Sequence, residues 1–393
     1  MDTIKLPKLE RIVFQQTGCK NKIKQLIAPS VDLPVNIIAN DRSSVTIDFD
    51  GVKYCLTCNV DSYPNDVEYV LLTNVRPTNE RLIAKTVVVK YWLKHPLQKE
   101  YTTKEVISPW KDKFFLKEEK KETDINRLRS PQLGALHMIL GHLQLPLDTA
   151  TIVLPTGTGK TETMLSALVA NQCERLLVTV PSNSLRIQLF EKFETFGLLK
   201  KFGVIGEESL YPIVGVINEK FASPEELKVF LEKCNVIVTT MHILIGCSDD
   251  EQKIVATVCS NIFIDEAHHV KAPSWNQFKN KFPANKVIQF TATPFRNDGQ
   301  RLDGKIIYNF PLKYAQAQGY FTKIDFIPIR EYDSDKADEK IAEVAVQRLR
   351  EDLKNHNHIL MARCATKERA EKIFNLYKKH IDLNPVIIYS NCP

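Results

Sequence analysis

Residues 154–161, with the sequence LPTGTGKT, have the composition of a loop that binds the phosphates of a nucleotide. The two glycines lack Cβ atoms, so consecutive backbone N–H groups can converge on phosphate oxygens. Lys160 has the length to reach the β- and γ-phosphates, and the Thr161 hydroxyl can bind Mg²⁺. Leu154 stands where the general pattern has glycine or alanine, but the Gly-x-Gly-Lys-Thr core is intact. The predicted nucleotide contacts in this loop are Thr156, Gly157, Thr158, Gly159, Lys160 and Thr161.

Two adjacent carboxylates, Asp265 and Glu266, directly follow the apolar run 261–264. Asp265 can hold Mg²⁺, directly or through water, opposite Thr161. Glu266 can act as the general base for a water aligned on the γ-phosphate. Together with Lys160, these carboxylates predict a catalytic centre for nucleotide hydrolysis.

His268 follows the two carboxylates, and the apolar run 286–290 is followed by Thr291 and Thr293. We expect His268 to form hydrogen bonds between the nucleotide site and this threonine segment, which could couple hydrolysis to a moving part of the protein. The neighbouring His269 makes a histidine pair, which by itself could suggest a metal site. No cysteine or acidic cluster at suitable spacing accompanies the pair, so we do not expect metal binding there.

The segments around these residues alternate between apolar runs and amphipathic helical patterns. Strands are predicted at 149–154, 175–180, 236–239, 261–264 and 286–290. Buried strands interleaved with helices predict an α/β fold with a parallel sheet, in which ligands bind beyond the carboxyl ends of the strands. All of the candidate residues fall at that edge.

The regions on either side differ in pattern. Short β-like runs recur in residues 1–120 and predict a small β-rich or α+β accessory domain, whose end overlaps a Lys- and Glu-rich linker or helix at 111–122. After the nucleotide-binding domain at 121–320, residues 321–393 contain three more predicted strands, at 323–329, 358–362 and 385–389, with helices between them. Three strands are too few to bury a doubly wound sheet, so we expect this last domain to be incomplete.

Composition limits the class of protein. The 393 residues are 44% hydrophobic, with no apolar run of about 18 residues and no amino-terminal signal pattern. We therefore expect no membrane partner, and the nine scattered cysteines are typical of the reducing cytoplasm. The net charge of +6 permits a polyanionic partner. Cys55 and Cys58 have metal-ligand spacing, but they lie in an alternating run that places them on opposite faces of a strand, which argues against zinc.

Three segments, 155–161, 265–268 and 291–293, resemble in order and spacing motifs I, II and III of superfamily 2 DEAD/DEAH-box helicases. The sequence TATPFR, followed by Asp298 and Gly299, is similar to the branch that includes type III restriction enzymes and excision-repair translocases. Residues 131–137 are similar to prokaryotic antiviral-defence helicases such as the Hachiman system. The resemblance implies a RecA-like domain, the start of a second one, and an ATP-dependent helicase or translocase that uses Mg²⁺ and acts on nucleic acid, with DNA favoured over RNA.

The resemblance also assigns further site residues. Gln132 resembles the upstream glutamine that recognises adenine. Residues 181–188 and 239–242 resemble motifs Ia and Ib, which touch the backbone of one strand, and 365–368 resemble motif IV. The implied nucleic-acid contacts are Ser182, Asn183, Arg186, Thr240 and Arg296. Motifs V and VI, which would supply an arginine finger, do not occur in these 393 residues.

Three alternatives remain open. Arg186 and Arg296 could be ordinary solvated surface residues. The chain could be a regulatory ATPase that senses nucleic acid and controls a protein effector bound by the amino-terminal domain. It could also be the motor subunit of a restriction or defence complex, although the chain shows no nuclease carboxylate cluster.

Overall fold

The alternation of strands and helices predicted between residues 149 and 290 forms a largely parallel sheet in the computed structural model. The structure describes residues 3–96, 99–120, 126–145, 148–269, 273–295, 299–322, 324 and 326–388. The chain divides into two units, residues 1–321 and 322–393. The strands are β1 (Thr3–Leu6), β2 (Leu9–Gln15), β3 (Lys22–Ala28), β4 (Val31–Pro34), β5 (Ile37–Asn40), β6 (Ser44–Phe49), β7 (Val52–Thr57), β8 (Tyr69–Thr73), β9 (Val89–Lys94), β10 (Ala150–Val153), β11 (Leu176–Val180), β12 (Ile213–Ile217), β13 (Val236–Thr240), β14 (Asn261–Ile264), β15 (Val287–Thr291) and β16 (Lys305–Asn309).

Helices connect many of these strands, and the last two described α-helices belong to the second unit. They are α1 (Asn79–Ile83), α2 (Thr103–Ile107), α3 (Trp110–Lys113), α4 (Ser130–Leu143), α5 (Lys160–Ala170), α6 (Asn183–Thr195), α7 (Pro224–Glu232), α8 (Met241–Ile245), α9 (Asp249–Val258), α10 (Pro273–Lys279), α11 (Leu312–Ala317), α12 (Ser334–Asp352) and α13 (Lys367–Tyr377). Several begin at a residue whose side chain accepts from the first turn. Ser182 accepts from the Leu185 N–H at the start of α6, and Ser248 forms a capping box with Glu251 in α9.

The large sheet has nine strands in the order β16-β10-β15-β14-β11-β13-β12-β3-β2. From β16 to β12 neighbouring strands are parallel, whereas β12 and β3, and β3 and β2, are antiparallel. Every residue of β10, β11, β13, β14 and β15 is buried, which requires cover on both faces of the sheet. The predicted α/β class with a parallel sheet is confirmed.

The amino-terminal region is rich in β structure, as predicted. Strands β5 to β9 form a five-stranded sheet in sequence order, and β1 pairs with β4. The sequence analysis did not identify β2 and β3, which form a hairpin on the edge of the large sheet. Cys55 is buried and Cys58 is exposed, and no cluster of three or more metal-ligating side chains occurs among the described residues.

The second unit contains two of its predicted helices as α12 and α13. The strands predicted at 323–329, 358–362 and 385–389 are not formed: no β-ladder pairs the described residues of these segments, and Lys323, Asp325 and Tyr389 lie outside the described residues. A strand needs a neighbour for its backbone hydrogen bonds, which these extended segments do not have in the described part of the chain. None of the described helices is long and apolar enough to cross a bilayer.

Candidate active site

The three predicted motifs meet because their strands are neighbours. β10, β15 and β14 lie side by side and parallel, so the segments that follow them emerge at the same edge of the sheet. The Leu154 N–H donates to the Thr291 carbonyl at 2.9 Å, and the Asp265 N–H donates to the Thr179 carbonyl at 2.9 Å. The first bond holds the phosphate loop against the threonine segment, and the second holds the carboxylate pair against the end of β11.

The phosphate loop has the backbone conformation that its glycines permit. Gly157 and Gly159 have φ angles of +87° and +93°, a region that residues with a Cβ rarely adopt. Thr158 is fully buried, and both its N–H and its hydroxyl donate to the Pro155 carbonyl, at 3.2 and 2.6 Å. The Thr158 side chain therefore stabilises the loop conformation. Thr156 and Gly157 are exposed to solvent.

Gln132 packs directly against the loop. Its amide nitrogen donates to the Gly159 carbonyl at 3.1 Å, and its amide oxygen accepts from the Arg129 N–H at 2.7 Å. A Cβ placed on Gly159 would lie 1.9 Å from the Gln132 amide nitrogen. The Arg129 guanidinium also donates to the Gly157 carbonyl at 2.9 Å. The start of α4 and the phosphate loop therefore form one hydrogen-bonded unit.

Lys160 and Glu266 form an ion pair across the site. Lys160 Nζ lies 2.8 Å from Glu266 Oε1, and their side chains are 8% and 18% exposed. Glu266 has a φ angle of +49°, a left-handed conformation that costs a non-glycine residue about 1–3 kcal/mol and is concentrated at functional sites. The Glu266 N–H donates to Asp265 Oδ1 at 3.0 Å, which locks the turn between the two carboxylates.

Asp265 is 5% exposed. Burial, and then the neighbouring Glu266 charge, raise the pKa of Asp265 to about 6. Ionisation of this buried carboxyl group costs free energy, which a bound divalent cation would offset. Carboxylate and hydroxyl oxygens are ligands that Mg²⁺ prefers beside phosphates. Thr161, in the first turn of α5, follows the phosphate loop after β10, at the same sheet edge as Asp265 after β14, so the residue types present fit a magnesium site.

His268 connects the carboxylates to the threonine segment. His268 Nδ1 lies 3.0 Å from Thr291 Oγ1 and 3.4 Å from Glu266 Oε2. The Thr291 hydroxyl donates to the Thr293 carbonyl at 2.6 Å, so we assign the proton in the histidine–threonine bond to Nδ1. Burial, and then the nearby His269, lower the pKa of His268. The hydrogen bond expected from the sequence between His268 and Thr291 is present.

Residues 125–296 match the family model described as the type III restriction enzyme, res subunit. The resemblance to superfamily 2 helicases is confirmed. The matched segment is a helicase-like domain of the P-loop NTPase type. It contains motifs I, II and III and the sheet that positions them.

Two solved structures are among those similar to the chain. The helicase domain of Hef from Pyrococcus furiosus is 17% identical with a TM-score of 0.33, over 67% of this chain and 54% of that chain. The DUF1998 helicase MrfA is 15% identical with a TM-score of 0.38, over 72% of this chain and 42% of that chain. The chain thus spans about half of the length of these structures. No curated protein matches the sequence.

Residues on either side of the matched segment also lie near the candidate site, and the sequence analysis missed them. The Arg129 guanidinium lies 5.0 Å from the centre of the Tyr320 ring, and the Tyr320 hydroxyl donates to Glu119. Burial and the contact with Glu119 raise the pKa of Tyr320 to about 12. Phe321 lies 3.2 Å from the position that a Cβ of Gly157 would occupy. No spacing pattern in the sequence connects Glu119 with Tyr320, which are 201 positions apart.

The structure separates the predicted nucleic-acid contacts by their exposure. Asn183 is exposed and Ser182 is half-buried at the start of α6, whereas Thr240 is 4% exposed. Arg186 is 7% exposed and donates to the Ile217 carbonyl at 3.3 Å, and burial lowers its pKa. This position favours a packing role between α6 and β12 and differs from that of a solvated surface arginine. Arg296 lies outside the described residues.

Proposed function

We propose that this chain hydrolyses ATP with Mg²⁺ and couples hydrolysis to movement on, or unwinding of, nucleic acid, with DNA favoured over RNA. The observation that carries the proposal is the convergence of Lys160, Asp265 and Glu266 at one sheet edge, with His268 bonded onward to Thr291. The match to the res subunit family supports the helicase-like class. The net charge of +6 permits a polyanionic partner, and the similarity of TATPFR to the branch with type III restriction enzymes favours DNA.

In this mechanism the ion pair between Lys160 and Glu266 is the resting arrangement. Phosphates that enter the loop would replace Glu266 as the ion-pair partner of the Lys160 ammonium, because a triphosphate carries more negative charge than one carboxylate. Glu266 is then free to orient a water and to accept its proton as the general base. Through the hydrogen bond from His268 to Thr291, the release of Glu266 from Lys160 would then affect the threonine segment.

Magnesium would be held by Asp265 and Thr161. When bound there, the ion neutralises negative charge on the β- and γ-phosphates. Gln132, whose amide contacts the phosphate loop, would recognise the adenine base. Thr156 and Gly157, both exposed, would contact phosphate oxygens through their backbone N–H groups.

The remaining details of the proposal rest on particular residues. The segment from Asp265 to His268, with the sequence DEAH, supports assignment to the DEAH-box type. The described cysteines are all free thiols, which supports a cytoplasmic location. A role in antiviral defence rests on the resemblance of residues 131–137 alone.

The decisive experiment compares Lys160→Ala and Glu266→Gln in an ATPase assay with and without nucleic acid. We expect Lys160→Ala to lose nucleotide binding. Glu266→Gln should retain binding and lose a factor of about 10²–10⁴ in turnover, the usual contribution of a general base. The exposed pair Lys228 and Glu232 on α7 provides the matched controls Lys228→Ala and Glu232→Gln. Wild-type turnover in either active-site variant refutes the mechanism.

A regulatory ATPase that controls a protein effector is the second candidate. The five-stranded sheet β5 to β9 favours it, because this sheet contributes no residue to the candidate nucleotide site and would be free to bind a partner. Strand-displacement and single-turnover ATPase assays separate the two functions. A switch would hydrolyse slowly and displace no strand.

A further inference from the structure

The hairpin of β2 and β3 brings the amino-terminal region to the edge of the motor sheet. Strand β3 pairs antiparallel with β12, with Lys22 opposite Val216 and Gln25 opposite Ile213. Because β3 runs opposite to β12, its first residue lies where β12 ends. The hairpin turn at residues 16–21 therefore lies at the carboxyl edge of the sheet, the same edge from which motifs Ia and Ib emerge.

A buried asparagine fixes this turn to the segment after β12. Asn21 is fully buried, and its amide oxygen accepts from the N–H groups of Asn218 and Glu219 at 2.7 and 3.1 Å. Its amide nitrogen donates to the Glu219 carbonyl at 3.1 Å. The Asn218 side chain donates back to the Lys20 carbonyl. These hydrogen bonds of Asn21 and Asn218 hold the backbone of the hairpin turn, including Lys20, against the segment that follows β12.

Two lysines of this region, Lys22 and Lys220, lie beside the helices of motifs Ia and Ib, and a third, Lys20, lies in the hairpin turn. The Lys22 ammonium lies 5.5 Å from the centre of the Phe190 ring in α6. Lys220 Cε lies 3.0 Å from the position that a Cβ of Gly246 would occupy, directly after α8. Lys20 and Lys220 are exposed. The Lys22 and Lys220 side chains thus lie against the second half of α6 and the residue that follows α8, next to the surface of motifs Ia and Ib.

Glu219 and Asp249 at this edge have hydrogen-bond or ion-pair partners, whereas the side chains of Lys20 and Lys220 form no ion pair among the described residues. Glu219 Oε1 accepts from the Lys20 N–H at 2.7 Å, and Asp249 pairs with Lys253 at 2.6 Å and with Lys281. In the part of the chain that the structure describes, neither Lys20 nor Lys220 forms an ion pair. Their positive charge is therefore available to an anion from outside the chain.

We propose that the hairpin turn at residues 16–22, together with Lys220, extends the nucleic-acid surface of the motor and contacts the phosphates of a single strand. The inference rests on the proposed function, because it needs a strand bound at motifs Ia and Ib. Lysine contacts to phosphates supply affinity without sequence preference, and each contact releases counterions. The amino-terminal region is then part of the motor surface and not only an accessory domain.

The test uses the full chain with Lys20→Ala/Lys220→Ala, and a fluorescent single-stranded oligothymidylate titrated at several salt concentrations. The slope of log K against log salt should fall by about 0.7 for each lost phosphate contact, or about 1.4 for the double variant. ATP turnover without nucleic acid should not change. The matched control is Lys53→Ala/Lys90→Ala, which removes two exposed lysines from the five-stranded sheet and should leave the slope at its wild-type value.

The outcomes separate the two levels of inference. A wild-type slope in the Lys20→Ala/Lys220→Ala variant, with normal binding by the wild-type chain, refutes the role of the hairpin and leaves the proposed function standing. An equal loss in the control variant shows that net charge alone acts, and also overturns the inference. If the wild-type chain binds no nucleic acid, the proposed function itself fails.

Discussion

Substituting Gly159 with alanine should damage the phosphate loop through two separable effects. The first is conformational, because a φ of +93° costs a residue with a Cβ about 1–2 kcal/mol. The second is steric, because the new Cβ would lie 1.9 Å from the Gln132 amide nitrogen. Gln132 must then move and give up its bonds to the Gly159 carbonyl and the Arg129 N–H.

Two lost hydrogen bonds add about 1–3 kcal/mol. We therefore expect Gly159→Ala to lower the free energy of unfolding by about 2–5 kcal/mol. In a Gln132→Ala background those bonds are already absent. Gly159→Ala should then lower the free energy of unfolding only by the conformational cost of about 1–2 kcal/mol. The double-mutant cycle should show a coupling free energy of about 1–3 kcal/mol between the two positions.

Denaturant unfolding of the four proteins in the cycle measures this coupling, and titration with a fluorescent ATP analogue reports the site itself. We expect Gly159→Ala to weaken nucleotide binding at least about tenfold, since about 1.4 kcal/mol of loop strain corresponds to that factor. Additive unfolding costs, within about 0.5 kcal/mol, would refute the contact between Gln132 and the loop. Normal nucleotide affinity in Gly159→Ala would refute the role of the loop.

Two further predictions concern a helix and the link between motifs. In α4, Gly141→Ala should stabilise the fold by about 0.5–1 kcal/mol, because nothing lies within 4 Å of the new Cβ. Gly134→Ala in the same helix should instead destabilise the fold by about 1–3 kcal/mol, because its Cβ would lie 2.7 Å from the Tyr308 hydroxyl. Thermal unfolding of both variants measures the difference. Equal effects would contradict the packing of Tyr308 against α4. Thr291→Val removes the hydrogen-bond partner of His268, and one such bond contributes about 0.5–1.5 kcal/mol. Nucleic-acid stimulation of ATP turnover should therefore fall about 2- to 12-fold while basal turnover is retained. Unchanged stimulation would exclude coupling through the His268–Thr291 bond.

The parallel sheet could be predicted where its strands are continuous apolar runs. The strands predicted at 175–180, 236–239 and 261–264 match the structure to within one residue because each is buried on both faces and has uniform composition. Strand β12 was missed because Gly215 interrupts its pattern. In the structure this glycine allows close packing, since a Cβ there would lie 2.6 Å from Cys234 Sγ.

The hairpin β2–β3 was missed for a different reason. Its strands mix lysine, glutamine and apolar residues, and the partner that orders them, β12, lies almost two hundred positions along the chain. The contact of Arg129 with Tyr320 is likewise remote in sequence. Local periodicity contains no information about such pairings, because they depend on where the whole chain places each edge.

The sequence by itself determined the chemistry of the candidate site. Glycines before Lys160, and paired carboxylates after a buried strand, are local patterns whose function depends on neighbouring residues. The tertiary structure alone decided that Lys160 pairs with Glu266, that Asp265 has a pKa of about 6 and that Arg186 is buried. Charge pairing and desolvation depend on which distant segments close around a group, and only the folded chain sets those distances.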